Sequence, residues 1–209
     1  MSILVSTSYL PPISIISACL GSEKVIIEGF ENYTKQTCRN HCVIYGPNGP
    51  QILSIPVYKV YGNHTMVKDI QISYTNPWPK IHWRSIETAY NNSPFFLYYQ
   101  DHFEPFYRKR FDLLLELNTE LLKVIFKILG SDKEIELTDH YNKQPDTLLN
   151  KRNLVRQKMD FSKIPFPEYL QPFNPKFGFL PNLSVIDVIF NLGPETYDYL
   201  KALPVLPSP

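Results

Sequence analysis

Residues 3–27, ILVSTSYLPPISIISACLGSEKVII, contain two short apolar runs separated by a longer segment that includes two adjacent prolines, Pro11 and Pro12. The first run, Ile3–Ser6, is typical of a buried strand, and Val25–Ile27 has the same character. Between them the prolines and a closing glycine predict a helix over Ile13–Leu20, because these residues favour the first turn and the end of a helix. Strand, helix and strand in this order predict a parallel βαβ unit with a right-handed crossover.

A β-hairpin is predicted next along the chain. Cys42–Tyr45 and Gln51–Val57 are apolar runs on either side of residues 46–50, GPNGP, which supply the positive φ angles of a turn. Lys68–Ser73 alternates in polarity and predicts another strand, and Glu134–Thr138 predicts a final short one.

Apolar residues at helical spacing predict one helix over Lys80–Asn91 and a long one over Phe111–Leu129. Residues 140–158 are polar and lack periodicity, so they are expected to form a long loop or flap. Residues 164–181 are rich in proline and aromatic residues and are expected to form an extended arm whose rings pack over the core. A further helix is expected to begin near residue 183 and to end at Gly193.

These patterns predict an α/β fold with a mostly parallel central sheet, flanking helices, a β-hairpin and a C-terminal proline/aromatic arm. The chain has 209 residues, of which 44% are hydrophobic, so it can bury a sizeable core. We expect a single domain over residues 1–209.

Composition argues against several classes of protein. The net charge of +1, without a basic tail, gives no reason to expect nucleic-acid binding. No apolar stretch is long enough to span a membrane, and the N-terminal segment lacks the basic residues of a signal peptide. Three cysteines do not form a disulfide framework and favour a reducing, cytoplasmic location. Common nucleotide-binding and hydrolase motifs are absent, so no cofactor can be named.

A polar cluster before the hairpin is the first candidate for binding. Arg39 can hold a phosphate or carboxylate with two hydrogen bonds, and Lys35 and Asn40 add a point charge and an amide. Loops at strand ends are where open α/β sheets bind ligands. The cluster therefore predicts a site for an anionic small-molecule or carrier-linked substrate. The alternative is a surface salt-bridge cluster with Glu28 and Glu31.

His82 is the candidate catalytic base, because an unperturbed histidine titrates near neutral pH. Glu87 or Asp101 could orient it, although a histidine that simply packs within the helix is the alternative. Three tyrosines offer hydroxyl groups and ring faces for substrate binding, with core positions as the alternative. They are Tyr9, Tyr33 and Tyr90.

A zinc site is a weaker alternative, because two cysteines and a histidine lie close together in the sequence. These residues are Cys38, His41 and Cys42. Zinc ligands more often stand two residues apart with a second pair downstream, and the sequence has no second pair. We therefore predict no metal.

Five segments, in order along nearly the whole chain, resemble the WbqC-like protein family. They are Tyr9–Pro12; Asn32–Lys35 with Arg39-Asn40; Asn48-Gly49 with Ile55–Val57; His82–Tyr90 running into Ser93–Tyr99; and Leu183–Asp187 with Leu192–Glu195. The resemblance implies a bacterial protein of surface-polysaccharide (O-antigen) biosynthesis, with aminoacyl or acyl transfer as a suggested activity. Many relatives carry a glutamine shortly before the first segment, where this chain has Ser6, Thr7 and Ser8.

Residues and resemblance together predict a cytosolic group-transfer enzyme that acts on a sugar or carrier-linked precursor. Lys35, Arg39 and Asn40 would bind the anionic part of the substrate, and His82 would move a proton. A different class remains open. The protein could be a non-catalytic binding or scaffold module that docks a partner through the arm at 164–181.

Overall fold

A four-stranded parallel sheet lies at the centre of the structure, a computed structural model that describes residues 1–145, 147–156 and 164–204. The strands are β1 (Ile3–Ser6), β2 (Val25–Glu28), β3 (His41–Gly46), β4 (Gly49–Ser54), β5 (Val57–Tyr58), β6 (Gln71–Ile72), β7 (Ile135–Leu137) and β8 (Leu149–Asn150). The helices are α1 (Ile13–Leu20), α2 (Trp78–Tyr90), α3 (Phe96–Phe103), α4 (Pro105–Arg108), α5 (Leu114–Ile128), α6 (Asn174–Phe177), α7 (Val185–Leu192) and α8 (Thr196–Lys201).

The central sheet has the order β7-β2-β1-β8, and each neighbouring pair is parallel. In register, Ile3 lies opposite Val25 on one side of β1 and opposite Leu149 on the other. The predicted β1–α1–β2 unit and its parallel pairing are confirmed. The chain moves outward from β1 to β2 and β7, and then returns to place β8 on the free side of β1.

The expectation of a loop over residues 140–158 is wrong for part of that segment. It contains β8 and a 3₁₀ helix over Arg152–Arg156, so the strand at 135–137 is not the final one. Two backbone bonds hold β8 in place: the Leu149 N–H donates to Ser2, and the Lys151 N–H donates to Leu4. A two-residue strand is too short to show a period, and it forms because β1 offers an unpaired edge.

The hairpin is confirmed as the antiparallel pair β3–β4, with a register from His41 opposite Ser54 to Gly46 opposite Gly49. The predicted second run is divided into β4 and β5 around Pro56, which has no N–H to donate to a ladder. β5 pairs with β6 instead. The predicted strand over Lys68–Ser73 is therefore shorter than expected.

Helices α2 and α5 lie within three residues of their predicted ends. The aromatic cluster that follows α2 forms α3, which the sequence pattern did not predict. Phe190 of α7 is the centre of the aromatic core, with ring centroids 5.1–5.6 Å from Tyr90, Phe96 and Phe103. In the part of the chain that the structure describes, no helix combines the length and the apolar character needed to cross a membrane.

The arm at 164–181 packs on the rest of the protein, as expected. Phe166 and Tyr169 are buried, and the Tyr169 ring meets that of Tyr199 at 5.1 Å. The Tyr45 hydroxyl donates to the backbone carbonyls of Phe173 and Gly178, at 3.1 and 2.7 Å. Because most of its rings pack against the rest of the protein and Phe177 is the exposed one, the arm offers little support for the scaffold alternative.

Candidate functional site

A pocket of about 780 Å³ lies between the loop that precedes β3 and the β4–β5 connection. Its volume is in the range of small-molecule sites. The lining residues are Tyr33, Lys35, Gln36, Asn40, His41, Ile52, Ser54, Ile55, Pro56, Val57, Lys59 and Arg156. The structure thus brings three predicted site residues, Tyr33, Lys35 and Asn40, to one cavity.

Three cationic side chains face this pocket: Lys35, Lys59 and Arg156. Among the described residues, none of the side chains that line it is a carboxylate. The Lys59 ammonium is 3.2 Å from Oδ1 of Asn63 and 5.8 Å from the centre of the Tyr33 ring. Such a one-signed lining favours an anion, because nearby cations raise its local concentration and stabilise its charge.

Asn40 shapes the wall of the pocket. Its side-chain nitrogen donates to the Ile55 backbone carbonyl at 2.9 Å, and the backbone carbonyl of Asn40 accepts from the Ile55 N–H at 2.7 Å. These bonds tie the loop to the end of β4. Gln36, also in the lining, has a φ of 56°, a left-handed conformation that few residues other than glycine adopt.

His41 is a pocket residue that the sequence did not single out for catalysis. It begins β3 and faces outward, whereas the next residue, Cys42, faces the core. Partial burial lowers the pKa of His41 below its usual value, so the ring is neutral at pH 7 and can accept a proton. The alternation of β3 was the available signal, since it directs His41 away from buried Cys42.

Arg39 lies in the interior, with only 2% of its surface exposed, and it does not line the pocket. Its Nε donates to Oε1 of Glu31 at 3.1 Å, and its Nη2 lies 2.7 Å from the same oxygen in an ion pair. Further bonds of 3.1 Å reach the hydroxyls of Thr37 and Ser6. The pair with Glu31 matches one half of the salt-bridge alternative, but it is buried. The other half differs, because Glu28 pairs with Arg152 at 3.0 Å.

His82 is also buried, with 4% exposure, and it does not line the pocket. Its Nδ1 is 3.0 Å from the Tyr9 hydroxyl, which is 2.8 Å from the Tyr107 hydroxyl. The ring also bonds to the Ser54 backbone, and Ser54 lines the pocket. Burial lowers the pKa of His82 to about 4, so the ring is neutral at pH 7. Tyr9, rather than a carboxylate, orients it.

Tyr90 lies in the core, away from the pocket. Its hydroxyl donates to Oδ1 of Asp187 at 2.8 Å and accepts from the Tyr45 N–H at 3.2 Å. Tyr169 and Gln171 donate to the other oxygen of Asp187. This network joins α2, α7 and the arm, and burial raises the pKa of the Asp187 carboxyl.

The zinc alternative has no geometric support. Cys38 and Cys42 are buried, whereas His41 faces the pocket. Within the described ranges, no three His, Cys, Asp or Glu side chains are placed to share a metal ion.

Comparison with known proteins shows the family of this chain. The model of the WbqC-like protein family matches residues 7–157. The chain belongs to this family. It is also 25% identical to an uncharacterized protein of Mycobacterium tuberculosis, Rv1507c, over 95% of this chain and 96% of that protein. No solved structure matches it significantly.

The part that matches the WbqC-like family contains all the described residues that line the pocket, from Tyr33 to Arg156. It also contains the interior chain of Tyr9, His82 and Tyr107. The arm and α7 follow it.

Proposed function

We propose that this WbqC-like protein binds the anionic part of a sugar-linked or carrier-linked precursor in the pocket, and that it is a group-transfer enzyme of surface-polysaccharide biosynthesis. The observation that supports binding is the set of three cations, Lys35, Lys59 and Arg156, in a cavity without a lining carboxylate among the described residues. Charge-assisted hydrogen bonds from such groups to a phosphate or carboxylate are stronger than neutral ones.

The proton in such a transfer would go to His41. In aminoacyl or acyl transfer, an oxygen or nitrogen of the acceptor bonds to the acyl carbon, and the bond to the leaving group of an activated donor breaks. The acceptor then loses its proton, which His41 can take because it faces the pocket and its ring is in the neutral form. His82, our predicted base, would act indirectly, by holding the Ser54 backbone through its neutral ring.

Isothermal titration with nucleotide-sugars and acyl donors tests the binding step. The variant Lys35→Ala should weaken binding about tenfold, the effect of one charge-assisted bond of about 1.4 kcal/mol. Lys201→Ala is a matched control, because Lys201 is exposed on α8 and does not line the pocket. Unchanged binding to folded Lys35→Ala would contradict the proposal.

A second variant tests the chemical step. His41→Ala should leave the dissociation constant of the donor nearly unchanged and should lower the rate of transfer at pH 7 about 100-fold or more. The same rate in both proteins would remove His41 from the reaction and leave the binding proposal standing.

A further inference from the structure

The pocket has an apolar part as well as a cationic one. Three lining residues around the β4–β5 connection have apolar side chains that are at least partly exposed: Ile52, Pro56 and Val57. Ile52 is 65% exposed although it is a large aliphatic residue next to a cavity. Ser54 is the one lining residue of this segment that has a polar side chain.

Exposed apolar side chains continue beyond the pocket. Tyr58, Val60, Tyr61 and Met66 are all exposed, and Tyr61 reaches 66%. Tyr58, Val60 and Tyr61 flank Lys59 in the sequence. Met66 forms a β-bridge with Asn32, which precedes the pocket residue Tyr33 in the chain. Single exposed hydrophobic residues are ordinary, but several of them close together along the chain mark a candidate binding surface.

The size of the pocket also constrains its ligand. A cavity of about 780 Å³ is far larger than one phosphate group needs, since a water molecule occupies about 30 Å³ in the liquid. The remaining volume must hold the body of the ligand. The polar lining residues Tyr33, Gln36, Asn40 and His41 lie on the loop before β3 and at its start, whereas the 52–57 segment contributes one polar side chain, that of Ser54, and therefore suits an apolar body.

We propose that the ligand is an amphiphilic phosphate, with a phosphate-ester head on Lys35, Lys59 and Arg156 and an apolar chain along Ile52 and Val57. This inference rests on the proposed function for the anionic head and adds the chemical nature of the body.

Titration with inorganic phosphate and with butyl, hexyl and octyl phosphate, all below micelle-forming concentrations, tests this inference. Affinity should rise along the series, by up to about fourfold for each methylene that is buried. Ile52→Ser should reduce the affinity for octyl phosphate about fourfold or more and should leave the affinity for inorganic phosphate unchanged. Lys35→Ala should lower the affinity for both ligands.

Ile81→Ser is the matched control, because Ile81 is also an exposed isoleucine but lies on α2 and does not line the pocket. Octyl phosphate that binds no better than inorganic phosphate overturns this inference and leaves the binding of an anion intact. Equal losses in Ile52→Ser and Ile81→Ser also overturn it. If no phosphate and no donor binds at all, the proposed function fails as well.

Discussion

Replacement of Arg39 by alanine separates a structural role from a ligand-binding one. The guanidinium is buried and makes three hydrogen bonds of 3.1 Å, one of them to Glu31, and its Nη2 also lies 2.7 Å from the same Glu31 oxygen. Removal of one partner of a buried pair leaves an uncompensated charge and costs about 3–5 kcal/mol. For a chain of this size each kcal/mol lowers Tm by about 2–4 °C. We therefore expect Arg39→Ala to unfold about 6–20 °C below the wild type.

Thermal and urea unfolding measure this loss, and two further variants interpret it. Arg108→Ala removes an exposed arginine that pairs with Glu104 and should cost at most about 1 kcal/mol. Arg39→Met combined with Glu31→Leu removes both charges and should recover most of the stability. If Arg39→Ala unfolds within about 1 kcal/mol of the wild type but no longer binds an anion, the structural argument is refuted and Arg39 is a ligand-binding residue.

Three other predictions concern stability. Burial lowers the pKa of His82 from 6.5 to about 4, so the unfolded chain binds the proton more tightly than the folded one. The free energy of unfolding should therefore fall by about 3 kcal/mol as the pH drops from 6.5 to about 4. Urea unfolding of His82→Phe at several pH values should lack this contribution. Gly193→Ala should cost about 1–3 kcal/mol more than Gly130→Ala in urea unfolding, because both have positive φ but only the former places a Cβ 2.5 Å from the Phe95 ring. Asp187→Asn should lose about 1–3 kcal/mol in thermal unfolding, since an amide cannot accept all the bonds that the carboxylate accepts.

The parts of the fold that the sequence predicted are those where local signals agree. Apolar runs, proline in the first turn and a closing glycine all indicate the same β1–α1–β2 unit, and the structure has it. β8 was missed because it has two residues, one of them Asn150, and exists only through its pairing with β1. No local pattern carries that information.

The candidate site shows the same limit for side chains. Lys35 and Asn40 reach the pocket because they lie in the loop beside it, and local reasoning was enough to predict their proximity. Arg39 lies next to Asn40 in the chain but faces inward, toward Ser6 at the end of β1. Arg156 reaches the same pocket from more than 100 residues away, because β8 returns the chain to the free edge of β1. Burial and long-range return are properties of the fold, so the sequence alone did not show them.

The pocket does not use the carboxyl ends of the parallel strands, because side chains already occupy that end of the sheet. Open α/β sheets bind ligands where neighbouring connections leave in opposite directions, here between the carboxyl ends of β1 and β8. In this protein Arg152 crosses that end to reach Glu28, and the first turn of α1 is bonded through the Ser14 N–H to Asn182. A phosphate there would have to displace bonds that are already made, at the cost of leaving a buried carboxylate unpaired. Arg156, four residues after Arg152, lines the pocket instead, where an anion can bind without such a loss.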